Sequence, residues 1–292
     1  MNTLPVVAVL GLGAMGHAFA ANLVKKNFTV RGWNRTPGRG EDLAAAGMTL
    51  CDSAREAAGN ADVVIVMLTD AAATEAVITG GDGILAALKA GAVLAQMGTI
   101  GVESTDQLYR AVTAARPDVV FIDAPVSGTK APAENAQITV LAGGDRARAA
   151  AVEPVFAAIA RGTQWLGAAG AGARMKLVVN AWLIAMMQGV AESVDLAQAL
   201  GFSPDNFWDA LEGGPLAAPY VKNKLAMIKA DDYTPQMQLS LALKDANLAL
   251  DAAGNRAMPG LRTIAGVWRQ AVDAGLGAQD IAVVYRYLGT KK

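Results

Sequence analysis

The chain has very few of the residues that most often carry site chemistry: one cysteine, Cys51, and one histidine, His17, in 292 residues. A lone cysteine excludes a disulfide framework and a cysteine-based zinc site, and it suits a reducing compartment. A lone histidine leaves serine triads, histidine metal cages and imidazole proton shuttles resting on one position. No bound metal is expected. His17 follows a glycine-rich turn at the start of an expected helix, where it reads as a helix residue near a cofactor. Basic runs are missing too: 25 Lys and Arg stand against 26 Asp and Glu, which argues against a nucleic-acid footprint. Apolar runs are short or broken. Leu4–Leu10 has no positive flank and ends on glycines, unlike a secretory signal, and Leu177–Ala191 is interrupted by Asn180 and Gln188, too short and polar to span a bilayer. The expectation is a soluble, cytoplasmic protein without membrane association. No tandem repeat or low-complexity tail is found.

What the chain has in excess is apolar residues, 53% against 17% charged, enough to bury a large core. In the first half, short β-rich runs alternate with helical stretches, the signature of a parallel sheet. Strands are expected at Val6–Leu10, Phe28–Trp33, Asp62–Leu68, Ala92–Met97, Val119–Asp123, Ile138–Ala142 and Thr163–Leu166. Helices are expected at Ala14–Lys26 and Asp145–Ala160. After Gly172, helical patterns rich in Ala, Leu and Met take over. Arg174–Leu200 reads as one long helix, apolar on nearly every side until Glu192, and a helix without a wet face is buried all round. That argues for a homodimer or a larger homo-oligomer. The expected fold is α/β: a doubly wound, mostly parallel sheet over residues 1–168, then an all-helical substrate and dimerisation domain over 169–292.

Strand, then Gly11-Leu12-Gly13-Ala14-Met15-Gly16, then helix is the context a dinucleotide-binding glycine loop requires. Gly11 permits the turn, Gly13 lets backbone approach the pyrophosphate, and Gly16 lets helix pack on strand. The helix amino terminus then offers free N–H groups to phosphate. An NAD-preferring domain usually puts a carboxylate at the end of the next strand to hold the ribose 2′-hydroxyl. Here that position reads Asn34-Arg35-Thr36. Arg35 can stack on adenine and pair with a 2′-phosphate, and Asn34 and Thr36 can donate to it, so NADP(H) is expected in preference to NAD(H). Met67 and Leu68, closing an apolar strand, are expected to line the cofactor cleft.

Three later stretches are read first on their own terms. Asp123-Ala124-Pro125-Val126-Ser127-Gly128-Thr129 ends a strand in a Ser-Gly turn whose hydroxyl and backbone N–H groups can hold a carboxylate, though most such turns are only turns. Lys176 and Asn180 fall on one helix face, where a snorkelling lysine is the ordinary alternative. Leu243-Lys244-Asp245 reads equally as a surface pair on an amphipathic helix. Taken together with the glycine loop and Asn34-Arg35-Thr36, these stretches make the chain resemble the β-hydroxyacid dehydrogenase family over essentially its whole length. That family includes 3-hydroxyisobutyrate dehydrogenases, tartronate semialdehyde reductases and glyoxylate/succinic semialdehyde reductases.

The resemblance implies that Ser127, Gly128 and Thr129 bind substrate and that Lys176 is the catalytic lysine, with Ser127 and Asn180 beside it. It further implies that Lys244 contacts cofactor or substrate and that Thr99 lies near the nicotinamide ribose. Lys130-Ala131-Pro132-Ala133-Glu134 is closest to the glyoxylate/succinic semialdehyde branch. Departures are Thr129 for a second glycine, Asn135-Ala136 for Asp-Gly, and Gly98 for the serine before Thr99. The implied activity is hydride transfer between NADP(H) and a small hydroxy acid or semialdehyde, with Lys176 handling the proton. Two alternatives stand beside it. An imine reductase would use a roomier pocket lined by Trp182, Trp208, Met186 and Met187, and a non-catalytic NADP-binding scaffold would keep the fold alone.

Overall fold

The apolar runs of the first half become strands because each can be covered on both faces. In the computed structural model, which describes residues 4–290, β1 (Val7–Leu10), β2 (Val30–Trp33), β3 (Thr49–Leu50), β4 (Val63–Val66), β5 (Val93–Gln96) and β6 (Val120–Asp123) form one sheet. Its order is β3-β2-β1-β4-β5-β6, with every pairing parallel. Side chains alternate between two apolar clusters: Val7, Val9, Val63 and Ile65 go to one, Ala8, Leu10, Val64 and Val66 to the other. This period of two, with both faces dry, defines a doubly wound sheet.

Helices α1 (Ala14–Lys25), α2 (Glu41–Ala45), α3 (Ala54–Ala58), α4 (Ala71–Thr79), α5 (Val102–Ala115), α6 (Lys130–Glu134) and α7 (Glu153–Ile159) accompany the sheet. Phe19 and Leu23 of α1 and Phe156 of α7 pack on one face, and Ala57 of α3, Ile78 of α4 and Leu108 of α5 on the other. A smaller sheet follows, in which β8 (Ile138–Ala142) pairs antiparallel with β7 (Val126–Ser127) and parallel with β9 (Ala160–Trp165).

One expected helix is corrected, and two short strands were not foreseen. The helix read over Asp145–Ala160 is present only as α7, after a turn and a single 3₁₀ turn at Ala150–Val152, and Ala160 already belongs to β9. Pro154 explains the late start, since proline is tolerated in a helix's first turn and not in its interior. The strands β3 and β7, two residues each, were too short to leave a pattern.

The chain divides into two compact units, Met1–Lys176 and Leu177–Lys292. The division by contacts falls inside α8 (Ala171–Ala199), whose first turn is hydrogen-bonded to β6 of the first unit. The second unit continues with α9 (Pro204–Leu211), α10 (Pro219–Lys229), α11 (Leu239–Ala253), α12 (Pro259–Ala271) and α13 (Val284–Gly289). Its interior holds Ile184 and Met187 of α8, Ala242 and Ala246 of α11, and Trp268 of α12. Gln188, which interrupts the apolar run, accepts from Trp268 Nε1 at 2.8 Å, so its burial is compensated.

Helix α8 runs 29 residues and is long and apolar enough by composition to cross a membrane, longer than the sequence suggested. The core helix of a soluble protein passes the same test. Nor is it buried all round. Met175, Val178, Trp182, Ala185, Gly189, Glu192 and Leu196 are exposed, a single stripe stepping by three and four residues. The expected helix without a wet face is therefore a helix with one apolar face open to solvent. The cause lies in the composition: that face carries side chains as apolar as the buried ones, and only Glu192 breaks it.

Candidate functional site

The carboxyl ends of five strands line up. Register places Trp33 beside Leu10, Leu10 beside Val66, Val66 beside Gln96, and Gln96 beside Asp123. Asn34, Gly11, Met67, Met97 and Ala124 therefore open successive loops along one edge, where ligands bind in such sheets.

The glycine loop fits a dinucleotide by its geometry. Gly11 has φ +99°, and a side chain there would strike the Met67 carbonyl and Leu68. A side chain at Gly16 would strike the Gly11 carbonyl. At Gly13, by contrast, a Cβ would meet nothing within 4 Å. Packing thus demands glycine at 11 and 16, while Gly13 keeps an open approach to the backbone. Gly13 also occupies the N-cap of α1, so no side chain caps the helix, and its first turn carries no carboxylate. An uncapped helix start behind an open glycine leaves backbone N–H groups available to an anion. Met67 and Leu68 are half-buried beside it. Gly98 has its own reason: a Cβ would strike the Leu68 carbonyl, which excludes a serine there and leaves Thr99, half-buried, as the hydroxyl of that turn.

Asn34 does not point its amide outward. Its Oδ1 accepts from the Leu12 N–H at 2.9 Å and its Nδ2 donates to the Thr36 carbonyl at 3.0 Å. It staples the glycine loop to the next loop, using one of the two Nδ2 hydrogens. Arg35 and Thr36 are exposed, and so is Arg39 on the same loop, a second cation that the three-residue reading missed. His17 lies 2.7 Å from Asp42 Oδ2, and that hydrogen bond holds the Asp42 carboxyl below its usual range.

Downstream, Ser127 lies on β7 opposite Thr139 of β8. Gly128 has φ +135° with Ile138 where a Cβ would be, and Thr129 is the N-cap residue of α6. Asp123, the residue that opens this stretch, is 1% exposed, and burial pushes its carboxyl up to about 6. In the second unit, Asn180 of α8 is buried and its Nδ2 donates to Asp245 Oδ2 at 2.6 Å. Asp245 Oδ1 is 2.9 Å from Lys244 Nζ, an ion pair outside hydrogen-bond angles. With its amide nitrogen committed, Asn180 presents Oδ1 as a buried acceptor without a hydrogen-bond partner. Lys176, one turn earlier on α8, is half-buried, less enclosed than its apolar neighbours suggested. Asp123 and Asp245, like Arg39, are functional candidates that the sequence reading missed. Each stood in a quoted motif as a carboxylate inside an apolar run, the costly placement that should have marked it.

Of the residues proposed for an imine pocket, Trp182 is 67% exposed, Met186 and Trp208 are half-buried, and Met187 is fully buried. Trp208 is tied to Glu212 through Nε1 and lies beneath Lys222 at 4.9 Å.

Comparison with known proteins agrees with this geometry. Residues 6–167 match the NAD binding domain of 6-phosphogluconate dehydrogenase, and residues 170–288 match the NAD-binding domain of NADP-dependent 3-hydroxyisobutyrate dehydrogenase. The chain is 34% identical to glyoxylate/succinic semialdehyde reductase 1 of Arabidopsis thaliana, across 95% of this chain and 96% of that one. It superposes on the crystal structure of 3-hydroxyisobutyrate dehydrogenase from Salmonella typhimurium with a TM-score of 0.88 and 27% identity, covering 96% and 99% of the two chains. An imine reductase from Pseudomonas sp. is more distant in structure, with a TM-score of 0.65 at 25% identity, covering 98% and 100%.

Proposed function

The chain belongs to the β-hydroxyacid dehydrogenase family, oxidoreductases with nicotinamide-binding domains, and from that premise we propose that it reduces a small carbonyl acid with NADPH and oxidises the corresponding hydroxy acid in reverse. The observation that carries the reading is the buried, partnerless Oδ1 of Asn180, fixed by Asp245 one helical turn from Lys176. A buried acceptor without a donor is costly, and a substrate hydroxyl or a lysine ammonium satisfies it. Residues 1–168 would hold the cofactor and 169–292 the substrate end and the oligomer contact. The bound nicotinamide supplies or accepts the hydride.

This chain's own residues do the rest. Gly11 to Gly16 and the start of α1 hold pyrophosphate, Met67, Leu68 and Thr99 border the cofactor, and Lys244 contacts cofactor or substrate. Ser127 with the Gly128 and Thr129 backbone holds the substrate carboxylate. Lys176 donates a hydrogen bond to the carbonyl oxygen, stabilises its developing charge and delivers the proton, while Asn180 orients the reacting end. The substrate class is tested by NADPH consumption with glyoxylate, succinic semialdehyde and a cyclic imine. Turnover of either carbonyl acid is expected. Turnover of the imine alone, or of nothing despite tight NADPH binding, would overturn the assignment.

Arg35, with Arg39 beside it, is proposed to select NADP(H). Arg35→Ala should raise the KM for NADPH about 10- to 100-fold, the loss expected for hydrogen bonds to a charged group, and leave the KM for NADH nearly unchanged. Equal effects on both cofactors would refute the selection.

The exposed stripe of α8 is proposed to close a homodimer. Trp182 and Leu196, 67% and 60% exposed, would be its largest buried side chains. Trp182→Glu with Leu196→Glu should convert a dimer to a monomer by light scattering after gel filtration at micromolar concentration. A wild-type monomer at that concentration would remove the proposal.

A further inference from the structure

The start of α8 is pinned by one side chain from another strand. Asp123, the last residue of β6, accepts the Gly170 N–H on Oδ1 at 2.7 Å and the Ala173 N–H on Oδ2 at 2.7 Å. Its own backbone is fixed as well, with its N–H donating to the Gly143 carbonyl at 3.1 Å and its carbonyl accepting from the Gly143 N–H at 2.8 Å. The glycines around it are there for it: a Cβ at Gly172 would strike the Leu141 carbonyl and come within 2.9 Å of Asp123 Oδ2, and one at Gly143 would come within 2.5 Å of Oδ1. The carboxylate therefore takes the place of an N-cap side chain, supplied across the fold, and it faces the positive end of a 29-residue helix.

Both directions away from this contact lead to proposed substrate-handling groups. Along the helix, Ala173 is one turn before Lys176. Along the strand, Asp123 leads into Ala124, whose N–H donates to Gln96 O at 2.7 Å, and Pro125, whose carbonyl accepts from the Leu141 N–H at 2.8 Å, and so to Ser127. A buried carboxylate is costly unless it is paired, and here the two N–H groups at the start of α8 pair it, so an apolar side chain would leave both without an acceptor.

We propose that Asp123 is a positioning residue that fixes the start of α8 against the Ser127 loop and so sets Lys176 where it meets the substrate oxygen. This rests on the reading of Lys176 as proton donor. A rotation of one helix start displaces a side chain one turn on, and misplacement of about 1 Å at a reacting group costs up to about 100-fold in rate.

The test is a double-mutant cycle with NADPH and whichever of glyoxylate or succinic semialdehyde the wild type turns over. Asp123→Asn keeps the shape but puts an NH₂ against one of the two amide donors. It should lower kcat about 10- to 100-fold, with the Kd for NADPH within about twofold of wild type. In a Lys176→Ala background the same change should cost nothing further, because its effect passes through Lys176. Losses that multiply, or a single variant with wild-type kcat, overturn the proposal while leaving the Lys176 reading intact. Wild-type turnover by Lys176→Ala alone sinks that reading, and this inference with it. If Asp123→Asn does not fold, Asp123→Glu, which keeps the charge and shifts the acceptors by one methylene, is judged by the same cycle.

Discussion

Lys176→Ala should lose about 10²–10⁴-fold in kcat, the range for removing a positioned proton donor, while NADPH binds nearly as before. The reasoning starts from what a carbonyl needs as hydride arrives: a donor on the oxygen and a proton to follow. Among the proposed substrate-handling groups, only Lys176 and Lys244 carry acidic N–H groups on a cation, and Lys244 is engaged by Asp245 at 2.9 Å. Asn180 cannot replace the missing proton, because a neutral amide gives up no proton near neutrality and its unpartnered Oδ1 is an acceptor. The expected signature is a fall in kcat and kcat/KM together, with fluorescence titration of NADPH unchanged. Near wild-type turnover would move the chemistry to another group and leave Lys176 a snorkelling side chain.

The legibility of this protein in its sequence followed chain distance. The doubly wound sheet could be read because β1, β4, β5 and β6 are dry on both faces and so leave unbroken apolar runs. The glycine loop could be read because its strand, turn and helix are contiguous. What could not be read were roles assigned by partners far along the chain. The staple that Asn34 makes between Leu12 and Thr36 was one of these. Asp123 and the Gly170–Ala173 segment are nearly fifty residues apart, and Asn180 and Asp245 further still. The open stripe of α8 was hidden for a different reason. Exposed and buried faces carry the same apolar residue types, so periodicity was silent, and only the fold revealed which face is open to solvent.

The second large effect lies in the helical unit. Lys224 of α10 and Asp280, 1% and 0% exposed, form an ion pair at 2.6 Å. Lys224 shares the buried stripe of α10 with Val221, Leu225 and Ile228. Asp280 has further donors in the N–H groups of Gln236, Met237 and Ala282. The pair is lopsided. Burial lowers the Lys224 ammonium below the usual lysine range in spite of the pull of Asp280, so the charged lysine is held at a cost, whereas the aspartate is shared by four donors. Asp280→Ala strands a buried ammonium and three backbone N–H groups, and should cost about 3–5 kcal/mol. That corresponds to a fall in Tm of roughly 6–20 °C. Lys224→Met removes only the cation and keeps the volume, so its loss should be a fraction of that figure. The lysine's folded-state pKa lies below its unfolded value. Its penalty is therefore fully present below the folded-state pKa, and it fades as pH rises from there to the ordinary lysine value. Wild type should gain on Lys224→Met across that window in parallel thermal melts. Equal losses for the two variants, or a larger loss for Lys224→Met, would mean that the ammonium and not the carboxylate organises the loop before α11.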